Sequence, residues 1–387
     1  MRGVSIIGIG STPFTILPDK SLKELAIIAC KEAIAEAKID KKQIEAFYLG
    51  NFCSGILSNQ ETIGPLVADN LGLRKEIPST KVEGACSSAS IAVRQGFLNI
   101  AAGICDMVLV AGVEKMSSAS REKFTTALSL ALDSETESLN GLTFPGYFAL
   151  IARRHMYEFG TTEAQMGMVS VKNHKNSVVN PRARFRNKVA LDEVMNSKMI
   201  TDPLKLYDCC PISDGAAALV LCASEMAKDY SDKPIDILAS VQTTGDSTLY
   251  GADNALCLPA TISAAKLAYE ASHLKPSDIN VVELHDCFSI AEIVDSEDLG
   301  FFEKGKGGFA VEEGLTQVDG KIPINPSGGL LSKGHPVGAT GCGQIYEICK
   351  QLRGEHENQI KGAEIGLTHN GGGTGAVVTV HILKRRG

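Results

Sequence analysis

The 387-residue chain has no excess of positive charge, no long apolar run and no Cys-x-x-Cys pair, and each absence removes a class of function. Acidic residues number 45 against 38 basic ones, a net charge of −7. The overall field therefore repels nucleic acid and anionic membrane alike, and an anionic ligand must be held locally. Nothing approaches the roughly eighteen consecutive apolar residues of a membrane-spanning helix. The opening stretch, one Arg and a short apolar run ending at Gly8 and Gly10, is too brief for a secretory signal. Eleven cysteines without such a signal and without a Cys-x-x-Cys pair point to a reducing, cytoplasmic interior rather than a disulfide framework or a zinc cluster. Cys30, Cys105, Cys222, Cys257 and Cys349 sit in apolar stretches and read as small buried hydrophobes. Neither Gly8-Ile9-Gly10 nor the glycines at 371–375 complete a Gly-x-Gly-x-x-Gly loop opening a helix, which argues against a nicotinamide or flavin site.

What is present is the composition of a globular chain with a large core, 44% hydrophobic and 21% charged. Its length suits two domains or one duplicated unit. Residues 4–9 read as a buried strand and 23–37 as an amphipathic helix; 46–49 is strand-like, 88–102 helical, and 107–111 an apolar β-branched strand. Such alternation predicts an α/β fold of parallel βαβ units with helices on both faces. The second half repeats the order. Residues 44–55 are echoed by 279–290, each an apolar strand running into a polar turn that holds a Cys and a Phe. Residues 214–222 are echoed by 373–381, each a small-residue turn opening a last apolar strand. The expected layout is an N-terminal half, 1–235, and a C-terminal half, 236–387. A more polar insertion at about 114–208 belongs to the first half, with helices over 144–159 and 163–176 that lid a site.

The reactive residues lie on turns between these elements. Cys86, in Gly84-Ala85-Cys86-Ser87-Ser88, comes just before a helix, where free N–H groups and the helix dipole favour thiolate. A nucleophilic thiol also needs a base. His335 is clasped between Gly334 and Pro336 on a loop leading into a helix, and His285-Asp286-Cys287-Phe288 directly follows a strand at 281–284. Strand C-terminal ends are where α/β folds gather their sites. The turn His369-Asn370-Gly371-Gly372-Gly373 offers bare backbone N–H groups suited to an oxyanion. A lone His before Pro, or one Cys among small residues, is more often structural. The set is read as functional because each member sits on a connecting loop and not on an apolar face.

Together these motifs resemble the thiolase superfamily, in particular its sterol-carrier-protein-type branch with the archaeal acetoacetyl-CoA thiolases, over essentially the whole chain from Val4 to Leu383. The Gly-His-Pro and triglycine turns are shared across the superfamily, whereas His-Asp-Cys-Phe belongs to this branch. The resemblance implies a duplicated five-layered αβαβα fold with an inserted loop domain. It implies an acetyl-CoA C-acetyltransferase that reversibly condenses two acetyl-CoA into acetoacetyl-CoA and CoA. Carried over by motif, Cys86 is the nucleophile that becomes acylated, His335 its base, and Cys287 the thiol that removes an α-proton. His285 stands where the commonest thiolases have Asn and would bind the enolate oxygen. Those thiolases place an acid/base cysteine two residues before the triglycine turn; here that position is His369, beside Asn370. The N–H groups of Cys86 and Gly371 would hold the oxyanion.

Coenzyme A thioesters enter as substrates, and no metal or redox cofactor is implied. The basic run Arg182, Arg184, Arg186, Lys188 is either a solvated face or a seat for the coenzyme A phosphates. By the same resemblance the chain is a homodimer or homotetramer with no nucleic-acid or membrane partner. Relatives in this branch can work with a hydroxymethylglutaryl-CoA synthase and an OB-fold zinc-ribbon scaffold protein in the mevalonate route to isoprenoids. Two other readings stand beside it. A decarboxylating ketosynthase shares the fold with one Cys and two His, yet has no use for Cys287. A non-catalytic acyl-CoA or lipid-binding protein would have no use for the whole reactive set.

Overall fold

The computed structural model describes residues 2–249 and 256–386. Its strands are β1 (Val4–Ser11), β2 (Ala46–Gly50), β3 (Ser79–Val82), β4 (Met107–Glu114), β5 (Met199–Thr201), β6 (Leu204–Lys205), β7 (Gly215–Ala223), β8 (Ile235–Thr244), β9 (Val281–Glu283), β10 (Ile365–Gly372) and β11 (Val377–Arg385). β5 and β6 form a small ribbon, and the others join in the order β3-β2-β4-β7-β1-β8-β11-β10-β9.

Read outward from the centre, that order is one pattern written twice. β1-β7-β4-β2-β3 is matched by β8-β11-β10-β9, and Ile324 pairs with Val282 where a fifth strand of the second copy would lie. The echoed segments fall on equivalent strands, 44–55 on β2 and 279–290 on β9, 214–222 on β7 and 373–381 on β11. β1 and β8 pair only through Ser5–Asp236 and Ile6–Ile235.

The strand directions correct one expectation. β2 is parallel to β3 and β4, and β9 to β10, but β7 runs antiparallel to β4 and β1, and β11 antiparallel to β10 and β8. The sheet is mixed because the last strand of each copy is not reached through a crossover helix. β10 and β11 are joined by a short turn, and Glu114 at the end of β4 pairs with Gly215 at the start of β7. The intervening segment thus leaves and returns at one end of the sheet.

Packing explains why the strands are apolar on both faces. Along β4, Val108 and Val110 point into a cluster with Ala92 and Val93 of helix Ser88–Ala101 and Ile345 and Ile348 of helix Thr340–Arg353. Leu109 and Ala111 point the other way, against Leu25 and Ala29 of helix Leu22–Glu36. In the second copy Ala264 and Ala268 of helix Pro259–Ser272 cover Val378 and Val380. The result is helix, sheet, helix, sheet, helix, with the central helix Thr340–Arg353 nearly wholly buried and Ser88–Ala101 mostly so. The glycines of β1 serve this packing: a Cβ on Gly8 or Gly10 would lie 2.2 Å from the carbonyl oxygen of Ala33 or Ala29. Cys30, Cys105, Cys222 and Cys349 are buried in these cores as expected, while Cys257 is half-buried. Among the described residues no helix is long and apolar enough to cross a membrane.

Candidate active site

Cys86 stands on a strained turn. Ala85 has φ +49°, a left-handed conformation that costs a non-glycine residue about 1 kcal/mol or more. Four hydrogen bonds over-determine it: Glu83 accepts from the Ala85 N–H (2.6 Å), Gly84 O from the Ser87 N–H (2.9 Å), Ala85 O from Ser88 Oγ (2.6 Å), and Ser88 Oγ from the Gly84 N–H (3.1 Å). The turn presents the sulfur at the start of helix Ser88–Ala101. The helix was expected to favour thiolate. Burial overrides it, pushing the Cys86 thiol up to about 12, although the N–H of Gly373 is aimed at the sulfur and pulls the other way. The resting group is a thiol and needs a base.

Two imidazoles supply candidates. The His285 and His335 rings meet edge-on with centroids 4.9 Å apart, and one nitrogen of each lies within 4.8 Å of the other and of the Cys86 sulfur. Burial holds His285 down at about 3, and burial plus the neighbouring His285 hold His335 well below the usual histidine range, so both rings are neutral. His335 Nδ1 is 2.7 Å from Thr340 Oγ1, a hydroxyl that donates its proton to Pro336 O at 3.1 Å. With that proton on Pro336 O, Thr340 accepts from Nδ1 and a lone pair stays on Nε2.

Cys287 shares this space. It lines a cavity of about 390 Å³ together with Cys86, His285 and His335, and its pKa is raised by burial and then by the nearby Cys210 and Cys86. The rest of the wall is mainly apolar, including Met116, Phe124, Phe144, Ile212 and Val337. Phe148 stacks on Phe288 at 4.6 Å and fixes the turn that carries Cys287. Asp286, between the two reactive residues, faces away. It accepts from the N–H groups of Leu330 (2.7 Å) and Leu331 (3.3 Å), and so ties this turn to the segment that leads into His335.

The glycine turn is dictated by close approach. A Cβ on Gly372 would fall 2.3 Å from Gly84 O, whereas Gly371 lies beside His285, its Cβ position 3.8 Å from the ring, and Gly373 has φ +62°. His369 is fully buried and is not among the cavity-lining residues. Its Nδ1 accepts from the His285 N–H at 3.5 Å and its Nε2 meets Thr261 Oγ1 at 2.9 Å, so it props the His285 backbone. Asn370 Nδ2 is 2.8 Å from His285 Nδ1, and Asn370 O accepts from Ser87 Oγ at 2.6 Å, tying the glycine turn to the one that carries Cys86. The basic run stays apart: Arg182 is paired with Glu32 at 2.7 Å, and none of its four residues lines the cavity.

Sequence reasoning missed two groups. Cys209 and Cys210 line the cavity, with the Cys210 N–H donating to Cys287 O at 3.1 Å; the signal was an adjacent cysteine pair just before the Ser213-Asp214-Gly215 turn. Glu114 is buried beneath the site, accepting from Asn51 Nδ2 (2.9 Å) and from the N–H groups of Phe52 (3.0 Å) and Gly338 (3.2 Å). Burial raises it to about 7 against these bonds. An acid ending an otherwise apolar strand was the available clue.

The duplicated five-layered fold and the reactive cavity between its halves define an α/β enzyme of the condensing type. The chain belongs to the thiolase family: the N-terminal thiolase domain matches residues 4–225 and the thiolase C-terminal domain-like family residues 243–385. It is 49% identical to an acetyl-CoA acetyltransferase of Methanothermobacter thermautotrophicus over 100% of both chains. It is 43% identical to an acetyl-CoA acetyltransferase of Methanocaldococcus jannaschii over 99% of each. Among solved structures it resembles an Ltp2–ChsH2(DUF35) aldolase with TM-score 0.86 and 28% identity, covering 99% of this chain and 98% of that one.

Proposed function

We propose that this thiolase reversibly condenses two acetyl-CoA into acetoacetyl-CoA and CoA through an acyl group carried on Cys86. The observation that carries the reading is the gathering of Cys86, His285 and His335 within 4.8 Å in a cavity that Cys287 also lines. His335 Nε2 takes the Cys86 proton as the sulfur attacks the thioester carbonyl. The N–H groups of Cys86 and Gly371 hold the oxyanion, and the proton passes to the departing CoA sulfur. Such donors are worth roughly 3 kcal/mol each in other enzymes. Cys287 then passes its own proton to the neutral His335 and, as thiolate, removes a methyl proton from the second acetyl-CoA while His285 steadies the enolate oxygen. Attack of the enolate carbon on the acyl group forms the new bond and frees the Cys86 sulfur, which recovers its proton from His335. The reading uses thiols, imidazoles and backbone N–H groups, with coenzyme A thioesters as substrates and no metal or redox cofactor. The names of the two archaeal relatives support acetyl-CoA as the acyl source.

The test is cleavage of acetoacetyl-CoA by the purified protein with added CoA. Turnover that falls by at least about 10⁴-fold in Cys86→Ala supports the assignment. An inert wild-type protein that binds acyl-CoA tightly would instead favour a carrier. We assign the activity to the cytoplasm, to a homo-oligomer, and to the mevalonate supply of isoprenoid precursors. That placement follows from the resemblance to the archaeal branch of the family alone, with a hydroxymethylglutaryl-CoA synthase and an OB-fold zinc-ribbon scaffold as the partners to seek by co-purification.

A further inference from the structure

The two imidazoles facing Cys86 have different neighbours, and the neighbours demand different protonation. At His335 the Thr340 hydroxyl lies 2.7 Å from Nδ1 and 3.1 Å from Pro336 O, and the base role assigned to His335 requires that the hydroxyl proton go to Pro336 O, so that Nδ1 carries the hydrogen and Nε2 the lone pair. At His285 the neighbour of Nδ1 is the Asn370 amide nitrogen at 2.8 Å, which can only donate. Nδ1 is then the acceptor, and Nε2 carries the hydrogen.

The amide has little freedom to turn over. Asn370 sits in β10 with its backbone oxygen held by Ser87 Oγ (2.6 Å) and Thr379 Oγ1 (3.4 Å), and its side-chain oxygen is buried without a protein partner. Reversing the amide would put two N–H donors in that buried spot, and buried orphan donors are rarer in proteins than under-used carbonyls. The His285 backbone is fixed independently, since its N–H donates to His369 Nδ1 at 3.5 Å.

We propose that Asn370 is a positioning residue that makes His285 a hydrogen-bond donor into the cavity, so that the paired imidazoles present opposite faces to the substrate, His335 an acceptor and His285 a donor. The inference rests on the role assigned to His285 above and adds the group that enforces it. Asn370 does not line the cavity, and its effect passes through the ring.

Asn370→Asp tests this because it keeps the shape and removes the donor. A carboxylate beside Nδ1 calls the hydrogen to Nδ1 and turns a lone pair toward the developing enolate. Acylation of Cys86 by acetyl-CoA, followed by intact-protein mass, should stay within about fivefold. Exchange of acetyl-CoA methyl protons with D₂O should fall by about 10²–10³-fold, the usual effect of losing one oxyanion donor. Long-range ¹H–¹⁵N spectra should show His285 as the Nε2–H form in the wild type and the Nδ1–H form in the variant. Wild-type spectra with hydrogen on Nδ1, or a variant exchanging within threefold of wild type, would overturn the proposal. If the variant does not fold, the wild-type spectrum decides alone. That spectrum is taken on resting enzyme, so it separates this inference from the thiolase reading, which instead fails if the wild type cannot cleave acetoacetyl-CoA.

Discussion

The same corner of the repeated unit is built twice in this molecule, once from glycine and once from reactive side chains. In the first copy Gly50, at the end of β2, pairs with Gly112 of β4. In the second, continuing the β9–β10 register beyond its last pair, Glu283–Thr368, sets His285 opposite Asn370. The first corner is empty because helix Ser88–Ala101 lies directly on it. A Cβ on Gly50 would come within 2.3 Å of Ala89 N, and one on Gly112 within 2.4 Å of Ala89 Cβ. Two residues further along the same strands, Glu114 of β4 is matched by Gly372 of β10. Glu114 pins backbone beneath the site, and Gly372 lets the Cys86 turn approach. One copy thus seats the nucleophile helix closely, and the other supplies imidazole and thiol to face it.

Substitutions at the matched positions break the comparison most severely. Gly50→Ala forces backbone apart and should destabilise the protein by about 3 kcal/mol, read as a lowered denaturant midpoint. His285→Ala should melt near the wild type yet lose about 10²–10³-fold in condensation rate. If Gly50→Ala folds and melts like wild type, the packing explanation for the empty corner is wrong.

A smaller effect isolates Glu114. Its carboxyl is raised in the folded state from 4.5 to about 7, so between those values the folded protein binds a proton that the unfolded chain has lost. The sign is then fixed: this group makes stability fall as pH climbs from about 4.5 to about 7, by up to roughly 3 kcal/mol. Glu114→Gln should flatten that slope in urea melts across the range, and an unchanged slope would mean the carboxyl is not raised. Smaller still is the reactivity of the resting nucleophile. With the Cys86 thiol near 12, iodoacetamide should label it faster at every step from pH 7 to 10. A plateau below pH 8 would reveal a thiolate–imidazolium pair.

Local pattern carried a good deal of this. Helix Phe144–Phe159 and strand β1 were visible as apolar periodicity, and the doubling was visible because both copies keep a strand, a turn and a Cys–Phe pair in order. Strand direction was not visible, because whether β7 and β11 run antiparallel depends on where the chain re-enters the sheet. Cys86 and His335 stood out as side chains on Gly- or Pro-bounded loops, and His285 and Cys287 on a polar turn directly after an apolar strand. Their supports did not: Thr340, Glu114 and the Asn370 amide act through hydrogen bonds between residues distant in sequence or one turn apart. Helix position can be read from sequence, whereas the desolvation that opposes it at the Cys86 thiol cannot. His369, which stands where other thiolases place an acid/base cysteine, lies outside the cavity lining and props the His285 backbone.

The central claim is that Cys86 and Cys287 face one substrate space and divide the work, one carrying the acyl group and the other moving the proton. Cys287→Ala tests it most directly, with acetyl-CoA presented in D₂O while the mass of the protein and the deuterium content of the methyl group are followed together. The account predicts an acetylated Cys86 with methyl exchange reduced by at least about 10²-fold. A variant that exchanges at the wild-type rate, or that no longer acetylates Cys86, would contradict it.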